Sequence, residues 1–103
     1  RAGAHELREL ELLDVLRSGD LHLPDEQRYA AERLLGADGD DSRARLGLGA
    51  DADAGQVRAA AAAEAARWRQ IAAHPVVMAR VRDAAQVVVW TCERLEAEVA
   101  DAR

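Results

Sequence analysis

The sequence predicts an all-α fold: four helices in one domain, with a short N-terminal helical pair packed on a long, Ala-rich antiparallel hairpin. Three observations carry that expectation. The hydrophobic half of the 103 residues is mostly Leu, Val and Ala, with no Phe, one Tyr and two Trp. Such a core suits closely packed helices and is poor material for a β-sandwich. Apolar residues then recur at spacings of three and four over long stretches, the period of a helix face. Finally, Gly and Pro cut the chain where those patterns stop.

The first helix is expected over residues 4–18, "AHELRELELLDVLRS", before Gly19. Leu7, Leu10, Leu13 and Leu16 recur every third residue and are assigned to the buried face, with Glu6, Glu9, Glu11 and Asp14 outside. Leu21 and Leu23 are expected to seal the following turn. The second helix is expected over 24–35: Pro24 suits its first turn, Asp25 and Glu26 favour its positive end, and Gly36 ends it. Residues 36–45, "GADGDDSRAR", are polar and turn-rich and are read as a mobile linker. Their "DGDD" run looks like part of a calcium loop. The EF-hand spacing, however, needs a closing acid where Gly49 stands, so a solvated linker is preferred.

The third helix is expected over 54–73, with Asp53 and Gln56 spaced for a capping box. Val57, Ala61, Ala65 (or Glu64), Trp68 and Ala72 form its stripe at spacings of three and four. The fourth is expected over 76–101, about 39 Å long at 1.5 Å per residue, with Val77, Val81, Ala84, Val88, Cys92, Leu95 and Val99 as its seam. Between them, Pro75 disfavours helical backbone at His74, which makes "HP" the bend of an αα-hairpin.

The net charge of −5 argues against a general nucleic-acid binder. Residues 1–55 hold 13 acids against 7 arginines and residues 56–103 hold 6 against 7, so the two halves attract. The only cysteine, Cys92, admits no internal disulfide and fits a reducing cytoplasm. No apolar run approaches the roughly 18 residues of a membrane span. All 14 basic residues are arginine, a bias expected of a GC-rich bacterium, and the start at Arg1 suggests a piece of a longer protein.

No phosphate-cradling loop, nucleophile elbow or metal-ligand spacing is present in the sequence, so no enzyme, cofactor or metal is expected. His5, His22, His74 and Cys92 are scattered, and Cys92 falls on the apolar seam. The best interaction candidates are Arg67, Arg69, His74, Arg80 and Arg82, which surround the hairpin bend. Together they predict a non-catalytic helical interaction or accessory module. Its expected partner is a protein, the rest of a parent chain, or a second copy in a homodimer. The alternative use of the patch is a nucleic-acid or membrane surface, with membrane contact through the parent protein.

Two resemblances add to this. Leu46-Gly47, Ala52, Val57 and then His74-Pro75 are similar to the start of a J domain, a family that stimulates heat-shock chaperone ATPases through a His-Pro-Asp loop. Here Val76 stands where that aspartate is needed, so a degenerate J-domain-like module is implied without the co-chaperone activity. "AAERLLG", "ARLGLGADADAGQVRAAAAAEAARWRQIAAHP" and "AAQVVVWTCERL" resemble the helical C-terminal region of actinobacterial dynamin-like GTP-binding proteins, over about residues 30–95. That resemblance implies a helical stalk element beside a GTPase head, with no nucleotide-binding motif in this chain.

Overall fold

The computed structural model describes residues 3–101, and the described residues contain five helices and no strand. Helix α1 spans Ala4–Ser18 and stops at Gly19, whose φ of 81° is left-handed and open to glycine without strain. After a turn sealed by buried Leu21 and Leu23, α2 spans Asp25–Leu34. Pro24 precedes it at the cap position, where its missing N–H leaves no bond unmade. Next, α3 is a single turn, Ser42–Arg45, inside the segment expected to be a linker. Asp41 caps it by accepting from the Ala44 N–H at 2.9 Å, and Arg43 Nε holds the Ala52 carbonyl at 2.8 Å. Local capping and side-chain anchoring therefore order a stretch that has little apolar periodicity to announce it.

Helix α4, Ala54–Ala73, carries the full capping box: Asp53 accepts from the Gln56 N–H and Gln56 from the Asp53 N–H, both at 2.8 Å. At its end His74 is extended, as a residue before proline should be. Pro75 does not open the next helix. It follows His74 in a turn closed by the Val77 N–H donating to the His74 carbonyl at 3.1 Å, a position its fixed φ suits. Helix α5, Ala79–Asp101, thus starts three residues later than expected.

The hairpin of α4 and α5 is the principal interface of the molecule. Ala61 and Ala65 on one side and Ala84 and Ala85 on the other are buried, which lets the two helices approach closely around Trp68, Val57, Val88 and Leu95. Leu16 from α1 and Leu34 from α2 complete the core, and both short helices pack on α5.

One face differs from expectation. In α1 the buried residues are Glu9, Leu12, Leu13 and Leu16, while Leu7 and Leu10 are 51% and 55% exposed. Every-third spacing drifts around a 3.6-residue helix, so Leu7 and Leu10 cannot share one face with Leu16. The stripe through Leu12, Leu13 and Leu16 extends back to Glu9 instead.

Candidate functional site

The five residues expected to form one basic patch divide into two groups. Arg67 lies 3.9 Å from Glu26 and 3.8 Å from Glu64, and Arg69 pairs with Glu93 across the hairpin at 2.5 Å. Their charge is spent inside the molecule. Arg80 donates to the Asp20 carbonyl at 3.1 Å and Arg82 to the Val77 carbonyl at 3.3 Å. Neither has a carboxylate within ion-pair distance among the described residues. His74 is exposed, and its Nδ1 accepts from the Val76 N–H at 3.3 Å, a contact local to the bend.

The bend also exposes apolar surface. Val76 is 80% exposed and Met78 74%, on either side of half-buried Val77. Val77 lines a groove of about 490 Å³ with Leu23, Ile71 and Val81, and His22, Arg67 and His74 stand around it. The hairpin tip therefore combines two protruding apolar side chains with a partly apolar hollow, while Arg80 lines the separate groove between α1 and α5 together with Glu11 and Asp83.

A second constellation lies inside the protein. The Glu9 carboxylate is 4% exposed and gathers groups from three helices. Its Oε2 accepts from Thr91 Oγ1 at 2.6 Å, from Arg94 at 3.1 Å and from Arg45 at 3.3 Å, and His5 Nε2 stands 3.3 Å away. The Thr91 hydroxyl has one proton and gives it to Glu9. Its oxygen then accepts from His5 Nε2 at 3.2 Å, which places the imidazole proton on Nε2. A buried carboxylate needs this many donors to offset lost hydration. The network fixes α1 and α3 against α5, and every polar atom of Glu9 is engaged in holding helices together. Its one trace in the sequence is His5-Glu9 at i, i+4 on the line that leads to Leu12, Leu13 and Leu16.

Beside it, the Arg8 guanidinium stands 5.3 Å from the Trp90 ring centroid and the His5 ring is tilted against the same indole. Trp90 borders a groove of about 500 Å³ between α1 and α5. Cys92 is fully buried, and burial first, then the nearby Glu64 charge, pushes its thiol up to about 12. A thiol so held is a core side chain rather than a nucleophile.

Among the described residues there is no group of three or more His, Cys, Asp or Glu able to hold a metal ion. No described helix is long and apolar enough to cross a membrane. No family model, curated protein or solved structure matches the chain.

Proposed function

We propose that the chain is a non-catalytic helical interaction module of a larger bacterial protein, and that it meets a protein partner through the tip of the α4–α5 hairpin. One observation carries this reading: Val76 and Met78 are 80% and 74% exposed beside an apolar hollow at the bend. Protruding apolar side chains next to a concave apolar surface mark docking sites more often than solvated faces. Arg80 and Arg82 add two arginines without ion-pair partners among the described residues, beside the exposed Asp83, and their excess over it favours an acidic partner. The sequence resemblance to the helical part of dynamin-like proteins supports the further proposal of a cytoplasmic module beside a GTPase head, where a hairpin tip can contact another subunit.

The test is site-specific photo-crosslinking in the intact protein in cells. A photoreactive amino acid at Val76 or Met78 is compared with one at Ala62, which is exposed on the shaft of α4. The reading expects discrete protein adducts from the two tip positions and none from Ala62. Equal yields from all three positions, or adducts from the shaft alone, overturn it.

A further inference from the structure

We infer that α1 is a hinged arm that opens as one unit about Gly19 while the α4–α5 hairpin stays folded. The hinge lies at the C-terminal end of the helix. Gly19 holds a left-handed φ of 81°, and a side chain placed there would meet nothing within 4 Å, so no packed neighbour resists its rotation. The chain just beyond it is fixed. Arg80 of α5 donates to the Asp20 carbonyl at 3.1 Å, and Leu21 and Leu23 are buried.

Towards its other end, α1 is held by a polar latch. The Glu9 carboxylate accepts from Thr91 and Arg94 of α5 and from Arg45 of α3, while Arg8 adds a half-exposed contact with the Trp90 ring. Apolar packing under the helix is incomplete. Leu12 and Val15 face Ala84 and Val87 across the groove of about 500 Å³, and side chains across such a gap lose part of the contact a close-packed core supplies. When α1 swings out, the carboxylate, the hydroxyl and the arginines regain water, so breaking the latch costs far less than its number of bonds implies. The hairpin has no such compensation, because Val57, Ala61, Ala65, Trp68, Val88 and Leu95 are apolar and buried. Opening uncovers Leu12, Leu13 and Leu16, an apolar surface distinct from the hairpin tip, which the closed arm hides.

The test is native-state hydrogen exchange of the purified chain in low urea, read residue by residue. Amides from Leu7 to Ser18 should share one opening, about tenfold or more as frequent as the one that exposes α4 and α5. Glu9→Gln should raise the α1 opening by about tenfold or more. Thr91→Val replaces that variant if it unfolds, with a smaller rise. Val57→Ala trims only the hairpin core, so it should speed exchange in α4 and α5 and leave the α1 opening unchanged. Amides of α1 that exchange only together with the hairpin overturn the inference, since the helix then opens only when the whole chain unfolds. A gradient that climbs residue by residue from Ala4 overturns it too, because that is fraying and not a hinge. So does the absence of a rise with the latch variants, or a Val57→Ala effect as large on α1 as on the hairpin.

Discussion

Glu9 Oε2 and Thr91 Oγ1 are 2.6 Å apart although 82 residues separate them, and the bond closes the N-terminal helix onto the C-terminal one. Replacing Glu9 with Ala leaves Arg45 and Arg94 facing each other across a buried site without their shared anion. Arg94 is one-third exposed and Arg45 keeps Asp40, so the expected loss is about 2–3 kcal/mol, the upper range for hydrogen bonds to a charged group. Thr91→Val removes one hydrogen bond of the same network and should cost about 1–2 kcal/mol. Urea unfolding of both variants checks the order. A Glu9→Ala protein as stable as wild type shows that the network contributes nothing net.

The two tryptophans should separate widely. Trp68 is 1% exposed and wedged between helices whose neighbouring positions are alanine, so nothing nearby can expand into its place. Trp68→Ala should cost about 3–5 kcal/mol. Trp90 is 39% exposed, and its replacement should cost clearly less. Denaturant midpoints in dilute solution decide the matter; equal losses mean that the indole of Trp90 carries more of the α1–α5 contact than its exposure indicates.

At the ends of α4, one residue matters to stability and one does not. Asp53→Ala removes the side-chain half of the capping box and should cost about 1 kcal/mol. His74→Ala removes only a local contact of an exposed side chain, so the melting temperature should hold within error. A large drop for His74→Ala shows that the bend depends on the imidazole.

Cys92 gives a pH prediction. Its thiol is raised to about 12 in the folded chain, against an unfolded value near 9. Above pH 9 the unfolded state loses this proton while the folded state keeps it, so stability from Cys92 is full below that pH and declines as pH rises towards 12. Alkaline unfolding of wild type against Cys92→Ala should show that slope only in wild type. Thiol labelling at neutral pH should likewise be slow until denaturant is added, and fast labelling of the native chain contradicts the burial.

How far the sequence alone leads is clearest on α1 and at the bend. Its first and third long helices begin and end where Gly19, Asp53 and Pro75 say they should, because caps and breakers act within a few residues. The one-turn α3 was not legible: four residues carry no period, and Arg43 and Arg45 become anchors only when Ala52, Leu34 and Glu9 arrive around them. Likewise the arginines near the bend form a cluster in sequence, yet Glu26, Glu64 and Glu93 claim two of them from other turns and helices. The apolar tip is not legible in the sequence because Val76 and Met78 look like ordinary residues of an apolar helix until the turn lifts them out of one.

The sequence by itself determined that this chain is helical, where its long helices lie, and that α4 and α5 meet along Ala61, Ala65, Trp68, Ala84 and Val88. These follow from local propensity and from a period that repeats often enough to fix a face. Tertiary structure alone decided which side of α1 is buried, because that helix carries leucines on both sides and its own pattern selects neither. A carboxylate with no apolar value took the inner face at Glu9, since Thr91, Arg45 and Arg94 from distant parts of the chain supply the donors that make its burial tolerable, and Leu7 and Leu10 were left outside.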